Sequence, residues 1–341
     1  MKLTTRSIEK KGLTLSNKIH HDNLPVFATE NYLKSKSDNY GWFVTNDFIL
    51  PFTIEKKLIF KRLIFTTDTI YLKKDLTVLE EKEFLNEITT YCKINHICDF
   101  IFKAQSNAIF KTYPDNSEYV EWGTYELELQ PTMDELLSKF YARDRTKVRK
   151  AIKLGVTVKT TDNIKEVYEN IKSTFLQQNS LLFPSLEYLQ KLQKNLGEQI
   201  KFFIVKNEKN EIQGSSIILS DNNRAYYLYG GSIRRPTNGS INLMHYKAME
   251  YFKEKNVLHY DFVGARFCVE EGSKFEALQK FKSRFGTSIR KGYAFRVIIN
   301  PIKYKLFNLT VQSYFKLKKS TYIDPIDSIR RCNEQQRINN S

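Results

Sequence analysis

The 341-residue chain contains no uninterrupted apolar run approaching the roughly 20 residues that a membrane-spanning helix needs. Its opening stretch, Met1 to Lys18, is basic but has no apolar segment ahead of a small-residue cleavage site, so nothing in it reads as an export signal. A cytoplasmic protein is the expectation. Cysteine is scarce: Cys92, Cys98, Cys268 and Cys332 make up the count of four, and no two form a Cys-x-x-Cys pair. In a cytoplasmic chain of this size they are expected as free thiols, without disulfides. Cys92, His96 and Cys98 lie close together in sequence, yet no second ligand pair stands at a zinc-like spacing, so ordinary burial is expected there and no metal is predicted. No internal repeat is evident. Disorder is also disfavoured, since 41% of residues are hydrophobic and 13% aromatic.

What the sequence has in excess is positive charge. The 54 Lys plus Arg against 38 Asp plus Glu leave a net charge of +16, a surplus that favours RNA, nucleotide sugars or an anionic membrane face as partners. The surplus does not choose among them, and a lysine-rich proteome would give the same balance. The length exceeds a typical single core and implies two domains of about 150 residues each.

The first half reads as mixed strands and helices. Gly41 to Leu50 alternates and stops at Pro51, and Lys57 to Thr66 is a second β-rich run. Phe84, Leu85, Ile88, Tyr91 and Cys92 recur at helical steps within Glu80 to His96. Tyr125 to Leu129 alternates apolar and acidic residues before Pro131, as an edge strand would. In the helix Ala142 to Lys153, Val148 and Ile152 are expected inward and Arg143, Arg145, Lys147, Arg149, Lys150 and Lys153 outward. Arg145, Arg149 and Lys153 fall in a line one turn apart that could track RNA phosphates; a solvated helix face is the competing reading. Two helices, Asn163 to Gln178 and Ser185 to Leu196, precede three strands, Phe202 to Lys206, Ile212 to Ser220 and Ala225 to Tyr229.

Ala225 to Gly264 then reads as strand, loop, helix, strand. The first strand ends on Gly230 and Gly231, where a ligand could approach the backbone. A basic loop carrying Arg234 and Arg235 leads to Gly239 and Ser240 at a helix entrance, where free N–H groups can hold an anion. Ile241, Met244, Ala248, Tyr251 and Phe252 give that helix a core face. Beyond it come a short basic helix, Glu276 to Phe285, a strand, Tyr293 to Ile299, and a helix from Pro301 to about Lys319 that mixes aromatics with lysines. Residues from about Asp327 read as a mobile tail.

Gly214 to Leu219, Tyr-Leu-Tyr-Gly-Gly-Ser at 227 to 232, Tyr-Asp-Phe-Val-Gly at 260 to 264 and Phe-Lys-Ser-Arg-Phe-Gly at 281 to 286, in that order and spacing, resemble the Fem family of peptidoglycan-bridge aminoacyltransferases. The resemblance implies an α/β (α+β) fold of two tandem GNAT-like acyltransferase domains, each a mixed, mostly antiparallel sheet flanked by helices. The basic helix giving way to Gly155-Val156 places the second domain at 151–299. The first domain is then 1–150, completed by 300–326, and 327–341 is the tail. In the GNAT order the strands Ala225 to Gly231 and Leu258 to Gly264 splay apart to form the donor cleft.

The activity implied is transfer of an aminoacyl or acyl group onto an amine of a cell-envelope precursor, peptidoglycan or surface glycan. Aminoacyl-tRNA would be the donor and no resident cofactor is needed. The alternative is an acyl-CoA-dependent N-acyltransferase acting on an amino sugar. A non-enzymatic RNA-binding protein would explain the charge but not the motif order. The loop 234–240 lacks the Arg/Gln-x-x-Gly-x-Gly/Ala pattern of CoA-binding GNAT enzymes, which favours the aminoacyl donor. Phe281 and Lys282 match the step at which the family places a lysine over the reacting ester carbonyl, a suitable oxyanion stabiliser; a surface lysine of a basic helix is the other reading. Asp261 is a candidate to orient or deprotonate the acceptor amine, or else holds backbone or an arginine such as Arg266. Tyr227 and Tyr229 share a strand face and line the cleft or fill core. Phe175 to Pro184 lacks the arginine that many Fem-like sequences carry there, which sets a UDP-linked acceptor in question. The segment 300–326 is expected to return to the first domain, with peripheral contact at the inner membrane face as an alternative use of its basic aromatic surface.

Overall fold

The computed structural model describes residues 12–339 except 22, 179, 181 and 182. Most of the Met1 to Lys18 stretch, and three positions of the Phe175 to Pro184 run, lie outside the described residues. The chain forms two compact units: one comprises 1–123, 264–276 and 291–341, the other 124–263 and 277–290. The expectation was one boundary near residue 150 and a return to the first domain at 300–326; the chain passes between the units four times. Two of these crossings fall inside long strands, Glu118–Glu128 and Ser288–Ile298, where no loop composition marks them.

In the first unit the sheet runs Thr14–Ser16, Tyr40–Val44, Phe48–Lys57, Phe60–Phe65, Phe100–Ile101 and the later part of Ser288–Ile298. The run 41–50 is a hairpin rather than one strand, because Thr45 Oγ1 accepts from the Asp47 and Phe48 N–H groups and turns the chain. Pro51 lies inside the second strand, opposite Trp42, and not at its end. The helix Val78–Ile94 opens on a Thr77/Glu80 capping box. It buries Phe84, Leu85, Ile88, Tyr91 and Cys92 in an apolar core that also holds Cys98.

Asn300 caps the helix Pro301–Leu317 and Pro301 starts it. Tyr304 and Phe307 pack edge-on against Phe100 and Phe60. Where a tail was expected from residue 327, Pro325–Asn339 is a helix. Ile326, Ile329 and Cys332, three residues apart, are buried with Ile109, Val120, Trp122 and Cys268. Cys268 and Cys332 form a disulfide with Cα atoms 5.8 Å apart, which overturns the expectation of four free thiols. A 64-residue separation gives no local signal of such a pair.

In the second unit the strands run the later part of Glu118–Glu128, His259–Asp261, Arg224–Ser232, Ile212–Ser220, Ile200–Lys206 and Thr157–Thr161. Tyr125 to Leu129 is not an edge strand, since Glu118–Glu128 has hydrogen-bonded neighbours on both sides, Ser288–Ile298 and His259–Asp261. The three-strand meander is antiparallel, as its short turns dictate. Arg224–Ser232 and His259–Asp261 pair in parallel, and the central helix Ser240–Glu254 makes the crossover that such a pair requires. Leu243, Met244, Ala248, Met249 and Phe252 bury that helix in the unit's core. The helices Ile164–Gln177 and Leu186–Leu196 start at caps supplied by Asn163 and Ser185.

Candidate active site

The parallel pairing lasts for three residue pairs, Arg224 with His259, Ala225 with Tyr260 and Tyr226 with Asp261. The first strand then continues to Ser232 while the second ends, so the two separate where the sequence places a cleft. A bulge helps to turn the longer strand: Ile217 opposes Tyr229 and Ile218 opposes Tyr227, leaving Leu228 as the extra residue. That extra residue breaks the alternation expected to put Tyr227 and Tyr229 on one face. Tyr227 packs edge-on against His245, ring centroids 4.6 Å apart, and burial pushes its pKa up to about 12. Tyr229 is half-buried, and its pKa is likewise pushed up to about 12 by burial.

Where the second strand leaves the sheet, Val263 adopts φ +51°, a left-handed conformation that a β-branched residue resists. Asp261 holds it there. Its Oδ1 accepts from the Val263 N–H at 2.7 Å and from Thr124 Oγ1 at 2.5 Å. Its Oδ2 faces Arg224 Nη1 at 3.3 Å and Arg290 Nη2 at 4.0 Å. Glu126 bridges the same two arginines. Burial raises the Asp261 pKa, and Arg224 is the chief opposing influence. These contacts place the carboxylate to fix the turn, the backbone-holding role that the sequence offered beside that of a base. Its partners are Arg224 and Arg290, not Arg266.

The turn aims the Val263 carbonyl at Lys282. This lysine lies on the helix Lys274–Ser283, is only 5% exposed, and donates from Nζ to Val263 O at 2.6 Å. It is not part of a solvated basic face, unlike the exposed Lys274 and Lys280. Burial lowers its pKa to about 8, with Asp261 acting in the opposite direction. Phe281 is half-buried beside it, 5.5 Å from the His245 ring.

His245, on the central helix, is surrounded by Tyr227, Tyr260, Phe262, Phe281 and Phe285. Its Nδ1 lies 2.9 Å from the Tyr260 hydroxyl and its Nε2 has no partner among the described residues. Burial, helped by Lys282, drives its pKa down to about 3, so the ring is neutral. The result is a low-dielectric aromatic wall beside a single buried ammonium group, in which an added negative charge would be strongly attracted to Lys282.

The glycines and the basic loop turn out differently. A Cβ on Gly231 would lie 2.7 Å from Ile171 Cα, and one on Gly230 1.7 Å from the Tyr227 hydroxyl, so both serve close packing within the chain. Gly239, at φ +88°, touches the basic helix Ala142–Lys153: a Cβ there would lie 2.0 Å from the Lys147 carbonyl oxygen. The Thr237 N–H donates to Gln213 Oε1, and the Ser240 N–H and hydroxyl both go to Thr237 O. At this helix entrance the Ser240 N–H is therefore occupied within the chain and Gly239 lies packed against the neighbouring helix, while Arg234 and Arg235 are exposed.

On the basic helix, Arg145 Nη1 donates to Ser138 O at 2.9 Å and Phe140 O at 2.6 Å, so it secures the preceding turn. Of the expected line of three, Arg149 and Lys153 remain exposed. Ile152 points outward and Ala151 inward, against expectation.

Residues 188–312, which hold the splayed strands, Val263 and Lys282, match the model of the FemAB family. The crystal structure of FemX superposes with a TM-score of 0.63 at 18% identity, covering 84% of this chain and 95% of that one. The fold is that of the Fem family. The C-terminal domain of a putative lysylphosphatidylglycerol synthetase from Agrobacterium fabrum shares the Fem-type architecture at a TM-score of 0.50 and 12% identity, covering 80% of this chain and 88% of that one. A tandem GNAT protein from the clavulanic acid pathway aligns more loosely, with a TM-score of 0.46 at 10% identity over 77% of this chain and 83% of that one. No curated protein gives a significant sequence match. Sequence reasoning about this site missed His245, Thr124, Glu126, Arg224, Arg290 and Val263. Thr124 and Arg224 stand 137 and 37 positions from Asp261, and no local pattern links them.

Proposed function

We propose that the protein is a Fem-like transferase that moves an aminoacyl group from an ester donor, aminoacyl-tRNA, to an amine of a cell-envelope precursor. The observation that carries this reading is the buried Lys282 ammonium, held by Val263 O beside the separated strands. In such a reaction the acceptor nitrogen attacks the ester carbonyl and its oxygen becomes negative. Collapse of the intermediate expels the ribose hydroxyl, and the proton lost by the amine ends on that leaving oxygen. Lys282 stabilises the oxyanion electrostatically, Asp261 acts through the Val263 turn, and no covalent enzyme intermediate or resident cofactor takes part. The loop 234–240, which lacks the glycine pattern of CoA-binding GNAT enzymes, supports an ester donor over a CoA pyrophosphate. Arg149 and Lys153 supply an exposed surface for RNA phosphates.

The test offers radiolabelled aminoacyl-tRNA and acetyl-CoA in parallel, with an extract of lipid-linked and nucleotide-linked envelope precursors as acceptor. Label transferred from the tRNA, and lost in Lys282→Met, supports the proposal. Transfer from acetyl-CoA alone replaces it with N-acylation of an amino sugar.

A further inference from the structure

The helix Pro301–Leu317 in the first unit carries two apolar faces. Tyr304, Phe307, Val311 and Phe315, at steps of three and four, pack into the core. Ile302, Leu306, Leu309 and Leu317 are spaced by four, three and eight residues, which aligns them on the opposite side. They are exposed by 82%, 45%, 53% and 84%. One helix can bury only one of these stripes within its own unit. Lys303 is tied to Asp99 at 2.8 Å, but Lys305, Lys316, Lys318 and Lys319 are exposed around the second stripe. No carboxylate occurs between residues 301 and 322.

We infer that this face docks on an anionic lipid surface, with the leucines and isoleucine entering the acyl boundary and the lysines meeting phosphate headgroups. The charge pattern selects this occupant. A second copy of the chain, paired two-fold on the same patch, would set lysines against lysines without a compensating carboxylate. A nucleic acid would use the lysines but leave the apolar stripe in water. Among the described residues no helix is long and apolar enough to cross a membrane, so the contact is one of lying on the surface. This inference stands on the helix alone and does not depend on the transfer reaction.

The experiment is flotation of the full chain with vesicles of phosphatidylcholine, with and without an equal part of phosphatidylglycerol, at low and high salt. The protein should float with the mixed vesicles and stay behind with the neutral ones. Replacing Ile302, Leu306, Leu309 and Leu317 with serine, on a face already in water, should leave the thermal melt unchanged and reduce partitioning at least tenfold. Each Lys→Gln change among Lys305, Lys316, Lys318 and Lys319 should cost about fivefold and flatten the salt dependence. The inference is overturned by flotation that ignores headgroup charge. It is equally overturned by a serine variant that still binds, which would leave only a general attraction to polyanions. A wild-type dimer in light scattering that the serine variant dissolves, without vesicle binding, would assign the face to a second copy.

Discussion

Replacing Lys282 with methionine separates chemistry from stability in opposite directions. The lysine pKa falls from 10.5 to about 8 on folding. At about 1.4 kcal/mol per pH unit, keeping the ammonium buried at neutral pH costs about 3 kcal/mol. Methionine removes that cost, and leaving Val263 O without its donor returns about 1 to 3 kcal/mol. The variant should therefore melt at or slightly above the wild-type temperature, while single-turnover transfer from pre-bound donor falls on the order of 100-fold. The pH dependence gives an independent sign. Because the folded pKa lies below the unfolded one, the folded state binds fewer protons between pH 8 and 10.5, and wild-type stability gains there as pH rises. The variant lacks this gain, so the difference between the two should shift in favour of wild type across that window. Urea unfolding at several pH values reads it directly. A variant that transfers at the wild-type rate, or a difference that does not vary with pH, would refute the reasoning.

Asp261→Asn takes the negative charge from between Arg224 and Arg290 and should lower stability by about 3 kcal/mol in urea unfolding, with transfer lost as the Val263 turn loosens. Gly239→Ala forces a side chain against Lys147 O at a left-handed φ; a loss of at least about 2 kcal/mol is expected in the same assay. Opening the Cys268–Cys332 bridge by Cys268→Ser and Cys332→Ser should cost about 4 kcal/mol for its 64-residue loop, read as a drop in the thermal melt. Replacing Arg149 and Lys153 with glutamine should weaken tRNA binding and reduce its salt slope by about two, whereas Arg145→Gln should act on stability first.

The order of elements through residues 163–264 was legible because each signal is local. Asn163 and Ser185 cap their helices, and Met244, Ala248 and Phe252 repeat at helical steps. Of the residues gathered around Val263 and His245, Lys282, Phe281, Asp261 and Tyr227 were named from the sequence, all within the motif resemblance. The burial of Lys282 was not legible, since Lys274, Lys280 and Arg284 around it make the helix look uniformly solvated. The geometry that aims Val263 depends on side chains from distant strands, and a left-handed valine has no sequence signature at all. The glycines misled for a related reason. Gly231 and Gly239 do mark close approaches, but what approaches is Ile171 and Lys147 of the same chain. Pro51 misled by position, because a missing N–H was read as a strand end when the strand carries it through.

The fourfold passage of the chain between its two units makes the protein hard to divide. No single cut yields either unit whole: a fragment ending at Val263 would contain both separated strands, the central helix and Asp261, yet omit residues 277–290 and with them Lys282 and Arg290. A synthetic peptide covering that missing piece would have to be supplied separately to rebuild the unit. Gene fusions, split reporters and truncation libraries built on this scaffold would therefore work best when they respect three-dimensional membership over linear order.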